Sequence, residues 1–331
     1  MKSFYFTCGD VNGIGPEITL KLFNRIKFIS KQKIIFVCPQ NIFEQSASLI
    51  SPQFEYRFNK NPLHFEAGLV NIYPIKKVSI KIGKATKESG TGAYDSIITA
   101  FNFVRNDKSS ALITSPISKT AFNLAGIKYK GHTDMIADWC KSKNYMMTFL
   151  SDKMKAALST IHIPLKKVPK ILTKDLITGQ ILLLNEMLKK DLGIKLPSIA
   201  VLGLNPHAGE DGLIGDEENK ILLPAMNSLR SKVKVYGPFS PDAFFAAGLY
   251  KQFDLFLGLY HDQALIPFKM LNFAGGVNYT AGLPIVRTSP DHGVAYDIAW
   301  QNKADETSLF QAFRFADKIL SNRMKNASAK K

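Results

Sequence analysis

The sequence has little cysteine and no long apolar run. Its three cysteines, Cys8, Cys38 and Cys140, are widely spaced and odd in number, so they indicate neither a disulfide framework nor a thiolate zinc site. No apolar stretch approaches the ~20 residues of a membrane-spanning helix, and the apolar part of the N-terminal MKSFYFTCGD is too short for a secretory signal. We therefore predict a cytoplasmic protein without a membrane segment.

Repeats, low-complexity stretches and Pro/Gly/Ser-rich linkers are also missing, apart from a polar tail over Ser321 to Lys331. Hydrophobic residues make up 46% of the chain and aromatic residues 11%, an ordinary globular composition that argues against extended disorder. A chain of 331 residues exceeds most single-core domains. We expect two domains, or one large α/β unit with a cleft.

Acidic residues are fewer than basic residues, with 27 Asp and Glu against 43 Lys and Arg, and the formal net charge is +16. Such a charge can indicate nucleic-acid binding. Here the lysines are spread along the chain, and no basic stripe is interleaved with aromatic residues. We predict a solvated lysine-rich surface that attracts small anionic substrates, with no nucleic-acid partner.

Short apolar runs rich in β-branched and aromatic residues recur along the chain: SFYFTC, KIIFVC, SALITS, SIAVLGL and DLFLGLY. Amphipathic segments such as PEITLKLFNRI and KILLPAMNSLR lie between them. Buried strands that alternate with helices predict an α/β fold with a largely parallel sheet. NYTAGLPIVRTS is interpreted as strand and turn, and Gly293–Ala299 as a helix.

A glycine-rich segment, GDVNGIGPE, follows the first predicted strand and is not the dinucleotide fingerprint G-x-G-x-x-G. Its glycines permit tight turns, and Pro16 suits the first turn of a helix, whose amides can bind an anion. A strand-to-helix turn without a ligand explains the same residues equally well.

Histidines give the strongest indication of chemistry. Three of the six, His162, His207 and His261, closely follow the predicted strands ALSTI, IAVLGL and DLFLGLY. Ligands of parallel α/β sheets bind beyond the carboxyl ends of the strands. Three imidazoles converging there would hold Zn²⁺ or a similar divalent ion. For any one of them, a purely structural role is the competing interpretation.

Two further segments carry charged residues at positions where they could bind a ligand. In YHDQALIPFKM, Asp262 and Lys269 are seven residues apart and would share one face of a helix. In VNYTAGLPIVRTSPDHG, Arg287 at a strand end could hold a carboxylate or phosphate in bidentate fashion. The alternatives are a surface helix with scattered charges, and a structural ion pair between Arg287 and Asp291.

Taken together and in order, these segments resemble the 4-hydroxythreonine-4-phosphate dehydrogenase family. The resemblance extends from Gly9 to Ala299 through GDVNGIGPE, SGTGAYDSI, ITSPISK, GHT, HIPL, LNPHAGEDGLIGDEE, YHDQALIPFK and VNYTAGLPIVRTSPDHGVAYDIA. It implies a two-domain α/β/α subunit with largely parallel sheets, similar to isocitrate and isopropylmalate dehydrogenases, with an active-site cleft between the domains. We expect residues 1–120 and 285–331 to form the first domain, and 121–284 the second domain with a homodimer interface.

The same resemblance implies roles for individual residues. His162, His207 and His261 match metal ligands that two subunits share, with His261 coming from the partner. The matched substrate-binding positions are His132, Thr133, Lys269, Asn278 and Arg287, while Asp262 and Lys269 are the candidate catalytic residues. The chain departs from the family pattern in reading DVN for Asp-Pro-Ala, and at Asp134, Ile161 and Trp300.

The implied reaction is oxidation of the C3 hydroxyl of 4-phosphooxy-L-threonine by NAD, or NADP, with loss of CO₂. The product is 3-amino-2-oxopropyl phosphate, in pyridoxine and pyridoxal phosphate biosynthesis, and each site uses one divalent cation (Zn, Mg or Co). A sister dehydrogenase acting on threonate or erythronate phosphate is the alternative. A metallohydrolase, which would turn over without a nicotinamide, is a remote alternative, and a nucleic-acid binder with steeply salt-dependent DNA affinity is more remote still.

Overall fold

The computed structural model describes residues 1–26, 32–273 and 275–328. The chain divides into two compact units, the first formed by Met1–Ser142 with Leu283–Ser328, the second by Lys143–Gly282. Within the described ranges, no helix is both long and apolar enough to cross a membrane.

The strands found in these ranges are β1 (Ser3–Thr7), β2 (Lys33–Pro39), β3 (Tyr56–Phe58), β4 (Val70–Ile75), β5 (Ser110–Ile113), β6 (Met146–Leu150), β7 (Lys155–Leu158), β8 (Ser198–Leu202), β9 (Lys234–Phe239), β10 (Leu255–Gly258), β11 (Val277–Ala281) and β12 (Val286–Pro290).

The α-helices are α1 (Gly15–Ile26), α2 (Gln40–Ile50), α3 (Lys87–Val104), α4 (Lys119–Leu124), α5 (His132–Trp139), α6 (Val168–Ile171), α7 (Lys174–Lys190), α8 (Leu223–Asn227), α9 (Pro241–Ala246), α10 (His261–Asn272) and α11 (Thr307–Ser328). Short 3₁₀ segments occupy Pro62–His64, Leu165–Lys167, Pro206–Gly212 and Leu249–Gln252, and a π-helical turn occupies Glu218–Leu222.

The first unit contains strands in the order β3-β4-β2-β1-β5-β12, and every neighbouring pair is parallel. Its central strand β1 is buried along its whole length because helices cover both faces. Phe6 packs edge-on against Phe23 of α1, whereas Tyr5 stacks on Phe103 of α3. The apolar run SFYFT thus supplies both faces of the sheet.

The second unit contains the order β11-β6-β7-β10-β8-β9. Strands β7, β10, β8 and β9 are parallel, and β6 is antiparallel to both of its neighbours. The core on one face includes Phe149, Phe256 and Phe268, through which α10 packs onto the sheet. Because β7, β10 and β8 are parallel, the segments that follow them emerge at one edge, which positions the histidines.

The five apolar runs predicted as strands are strands, and NYTAGLPIVRTS forms β11, a turn and β12. The helix expected over Gly293–Ala299 is wrong, since the segment consists of turns and irregular backbone. Ala295 and Trp300 have left-handed backbone (φ 42° and 60°), which interrupts a right-handed helix. The carbonyl of Val294 instead accepts the amide of Ile14 at 3.0 Å, so the segment is tied to the glycine-rich turn.

Contacts place α4 and α5 in the first unit, whereas the sequence-based division at 120/121 runs through α4 and assigns α5 to the second domain. Tyr94 of α3 contacts both Phe122 of α4 and Trp139 of α5, with ring centroids 6.5 and 5.7 Å away. These aromatic contacts hold the two helices on α3. The domain limits 1–120 with 285–331, and 121–284, remain predictions.

Candidate active site

Two of the three predicted metal-binding histidines lie side by side in one chain. The ring centroids of His162 and His261 are 5.8 Å apart, with an angle of 42° between the planes. Strand pairing brings them together, because Leu158 of β7 is in register with Gly258 of β10. Both side chains are open to solvent, as a ligand site requires.

The pairing continues past the strands and holds the two segments in place. The amide of Ser159 donates to Gly258 O at 2.8 Å, and Thr160 Oγ1 donates to Leu259 O at 2.7 Å. His261 Nδ1 lies 2.7 Å from Asp262 Oδ1. A carboxylate at one ring nitrogen orients an imidazole so that the other nitrogen can coordinate a metal, an arrangement common among metal-bound histidines.

His207 does not join this pair within the chain. Over the described residues, no group of three or more His, Cys, Asp or Glu side chains is close enough to hold a metal ion. The predicted convergence of three histidines is therefore not formed by one chain. The resemblance implies a site shared between two subunits with His261 from the partner, and that assignment stays a prediction. Within this chain, His261 lies beside His162.

Both His162 and His207 have left-handed backbone conformations, with φ of 51° and 52°. Ala208, Glu210 and Asp211 share this conformation, so the segment after β8 is a continuous left-handed turn. Each such non-glycine residue costs on the order of 1 kcal/mol, and strain of this kind is concentrated at functional sites. His162 and His207 thus share a strained backbone conformation.

A second candidate site lies in the first unit, where α5 and β12 carry His132 and Arg287. Arg287 is only 2% exposed, and its Nε and Nη2 donate to Thr114 Oγ1 at 3.2 and 2.8 Å. Burial lowers the pKa of Arg287 to about 9, so the guanidinium still carries its charge near neutrality. Thr133, the next residue on α5, is also buried.

The His132 imidazole lies near the Arg287 guanidinium. Its Nε2 is buried and has no hydrogen-bond partner. Burial, and then the charge of Arg287, hold the pKa of His132 well below its usual value, so the ring is neutral at pH 7. A buried polar atom without a partner calls for a ligand or ordered water. A buried guanidinium beside this imidazole suits an anionic group.

The remaining predicted residues lie on the second unit. Asp262 and Lys269 are both on α10, as predicted, and both are exposed; Asn278 lies half-buried on β11. Sequence reasoning missed Thr114, the acceptor for Arg287. Thr114 directly follows the buried strand β5, and a polar residue at the carboxyl end of a parallel strand is the indication that would have found it.

The glycine-rich turn is structural rather than an anion site. The amides of Asp10, Gly13 and Ile14 donate to Pro116 O, Asp10 O and Val294 O at 2.8, 3.1 and 3.0 Å, so they are already paired. The buried Asp10 carboxylate accepts the Tyr296 hydroxyl at 2.8 Å, and burial raises the pKa of Asp10. Of the two interpretations of this segment, the strand-to-helix turn is supported.

The fold and these sites define an α/β protein with an imidazole pair suited to a metal ion and a buried cationic site suited to an anion. A crystal structure of 4-hydroxythreonine-4-phosphate dehydrogenase from Klebsiella pneumoniae superposes with a TM-score of 0.84 and 35% identity, covering 96% of this chain and 98% of that one. The model of the family described as "Pyridoxal phosphate biosynthetic protein PdxA" matches residues 30–316, so the chain belongs to this family.

Individual relatives carry two names. A protein from Desulforapulum autotrophicum, named 4-hydroxythreonine-4-phosphate dehydrogenase, is 40% identical over 94% of this chain and 93% of its own length. A D-threonate 4-phosphate dehydrogenase from Salmonella typhimurium is 37% identical over 95% and 98%. Isocitrate dehydrogenase from Methylococcus capsulatus, with a TM-score of 0.51 and 12% identity over 98% and 87%, confirms the predicted fold. The chain is an oxidoreductase of the dehydrogenase type.

The neutral buried state of His132 predicts a pH dependence of stability. The unfolded chain protonates this ring below about pH 6.5, whereas the folded chain resists protonation until lower pH, so stability falls as the pH decreases through this window. The free energy of unfolding of the wild type should decline between about pH 7 and 5 more steeply than that of His132→Gln, by at most about 1.4 kcal/mol per pH unit.

Urea unfolding at a series of pH values measures this slope, with His64→Gln, a substitution of an exposed histidine, as the control. Parallel curves for the wild type and His132→Gln would contradict the prediction.

Proposed function

We propose that the chain oxidises the C3 hydroxyl of 4-phosphooxy-L-threonine with NAD⁺, or NADP⁺, and releases CO₂ to give 3-amino-2-oxopropyl phosphate for pyridoxal phosphate biosynthesis. The observation that carries the proposal is the combination of the His162–His261 pair with the buried Arg287–His132 site in a member of this family. The widely spaced cysteines are free thiols, which fits a reducing cytoplasm as the place of action.

The donors fit one divalent cation. His162 and His261 offer imidazole nitrogens, ligands that suit Zn²⁺ and Co²⁺, and Asp262 orients one of them. His207, on its left-handed turn, is the proposed third ligand. A cation held by these residues would supply Lewis-acid polarisation of the substrate hydroxyl.

The protein residues bind the substrate and move protons. Arg287 and His132 provide a fixed charge and a fixed ring nitrogen for anionic substrate groups, with Thr133 beside them. Lys269 and Asn278 complete the proposed set of substrate ligands, Lys269 as a cation for the phosphate. Asp262 and Lys269, both on the exposed side of α10, are the candidate groups for taking and returning the protons.

The proposal is tested by turnover of the purified protein with 4-phosphooxy-L-threonine and NAD⁺ or NADP⁺ in the presence of Zn²⁺, Co²⁺ or Mg²⁺, followed by absorbance of the reduced cofactor. We expect metal-dependent turnover in which this substrate has the highest kcat/KM. D-threonate 4-phosphate and erythronate 4-phosphate are assayed in parallel, because of the relatives named for the first. A preference for either would assign the sister activity, and turnover without a nicotinamide would assign a hydrolase.

Substrate charge gives a second prediction. Removing the Lys269 cation should raise the Michaelis constant for the phosphorylated substrate about 10- to 100-fold, because a charge-assisted hydrogen bond is worth roughly 1.5–3 kcal/mol. Lys269→Ala should leave the Michaelis constant for NAD⁺ nearly unchanged, and Lys269→Arg should retain much of the affinity. An unaltered substrate constant in Lys269→Ala would rule out this role.

The surface of α10 supports a homodimer as the working assembly. Ile266, Met270 and Phe273 are 58%, 80% and 95% exposed. Ile266 and Met270 are four residues apart on one face of the helix that begins at His261, and Phe273 follows directly after its last residue, so the three form an apolar stripe. Exposed apolar patches of this kind mark interfaces. We propose a second copy of the chain as the occupant, because the metal site needs a histidine that one chain does not bring to its own pair.

Subunit mixing tests the shared site. Each single His→Ala subunit should be inactive, and two different inactive subunits should regain activity only when the two altered histidines belong to different chains of one site. With random pairing, half of the dimers are mixed and each contains one intact site, so activity reaches roughly a quarter of wild type.

The combination that recovers identifies the histidine supplied by the partner. If it is His261, as the resemblance implies, both mixtures containing His261→Ala recover and His162→Ala with His207→Ala does not. If it is His207, as the proximity of the other two suggests, both mixtures containing His207→Ala recover. No recovery in any mixture despite demonstrated exchange would refute a shared site.

A further inference from the structure

Glu218 has a buried carboxylate that lies close in sequence to His207 and takes no part in the sites described above. The residue is 2% exposed. Its Oε1 accepts the backbone amides of Leu204 and Asn205 at 2.6 and 2.9 Å, and its Oε2 accepts Asn205 Nδ2 at 2.9 Å. All three donors belong to the two residues that precede Pro206 and His207. Three N–H donors converge on one carboxylate, so the contacts are directional and tie the backbone of Leu204 and Asn205 to Glu218.

The chain closes around this carboxylate on both sides of His207. A Cβ on Gly209 would lie 2.7 Å from Glu218 Oε2, and a Cβ on Gly203 would lie 3.2 Å from Oε1. Gly209 also has φ of +85°, so a side chain at this position is disfavoured by both contact and conformation. The backbone on both sides of His207 therefore packs closely against this carboxylate.

The turn needs support from outside itself. Residues 207 to 211 all have left-handed backbone, which L-residues leave readily unless the surroundings fix them. Glu218 is fixed by its own element, since it begins the π-helical turn Glu218–Leu222, whose Leu222 is fully buried. Single π-helical turns are frequent near functional sites. The packed π-helical turn therefore fixes the Glu218 carboxylate, and this carboxylate fixes the backbone just before His207.

We propose that Glu218 is the positioning residue for His207, fixing the left-handed turn so that the imidazole is presented to the metal ion. Glu218 contacts neither the metal nor the substrate and acts through the backbone of Leu204 and Asn205. The inference rests on the proposed function, because it takes His207 as a metal ligand.

The test compares Glu218→Gln with Glu217→Gln in the full-length, metal-stripped protein. Glutamine is close in size to glutamate but replaces one acceptor oxygen with a donor NH₂ group, which opposes the N–H groups of Leu204 or Asn205. Glu217 is the matched control because it is adjacent, only half-buried, and accepts the same Asn205 side chain at 2.8 Å. The measurements are the Co²⁺ dissociation constant from visible absorption, amide hydrogen exchange without metal, and the unfolding temperature.

We expect Glu218→Gln to weaken Co²⁺ binding about 10- to 100-fold, as is usual for residues that orient metal ligands. The amides of Leu204 and Asn205 should exchange faster in this variant, while Glu217→Gln stays near wild type in both measurements. In a His207→Ala background, Glu218→Gln should have little further effect on Co²⁺ affinity, since the ligand that it positions is already missing. A general loss of stability would instead act equally in both backgrounds.

Wild-type Co²⁺ affinity in Glu218→Gln, or the same loss in the presence and absence of His207, would overturn the inference. If His207→Ala itself binds Co²⁺ as tightly as wild type, it is the metal assignment of the proposed function that fails. Should Glu218→Gln not fold, Asn205→Ala removes the side-chain donor and leaves both backbone donors in place. That variant should bind Co²⁺ several-fold more weakly, and wild-type affinity in it would overturn the inference.

Discussion

The register between β7 and β10 is the constraint on which the candidate metal site depends. Parallel pairing of Leu158 with Gly258, extended by the hydrogen bonds of Ser159 and Thr160, brings His162 beside His261. A slip of one residue would turn each side chain to the opposite face of the sheet. The packing of Phe268 against Phe149 then holds α10, so the orientation of His261 relative to the sheet follows from the core rather than from the loop.

The two candidate sites differ in their exposure to solvent. At the histidine pair the rings are open to solvent, so a metal ion could approach them. At His132 and Arg287 burial keeps the imidazole neutral and the guanidinium poorly hydrated. Weak hydration strengthens the attraction of Arg287 for an anion, because less water must be displaced when the anion binds. Both conditions fit the proposed metal-dependent oxidation of a phosphorylated substrate.

Several segments around the candidate sites share a left-handed, strained backbone. Left-handed residues occur at His162, through the His207 turn, and again at Ala295 and Trp300 after β12. Trp300 has a left-handed φ of 60°, a conformation that glycine adopts more readily than other residues. In this chain the indole Nε1 donates to Val11 O at 2.9 Å, a hydrogen bond that helps to offset the conformational cost and ties the segment to the glycine-rich turn.

The sequence by itself determined many of the strands, among them β1, β2, β5, β8 and β10 to β12. It also determined the alternation with helices, the family, and the histidines that follow β7, β8 and β10. These features are encoded locally, in apolar runs and short motifs, so they can be recognised without knowing which segments meet. Only the tertiary structure decided that Gly293–Ala299 is not helical, that Thr114 holds Arg287, and that Glu218 holds the backbone before His207. Each depends on contacts between residues far apart in the chain, or on a left-handed backbone that non-glycine residues adopt only under external constraint.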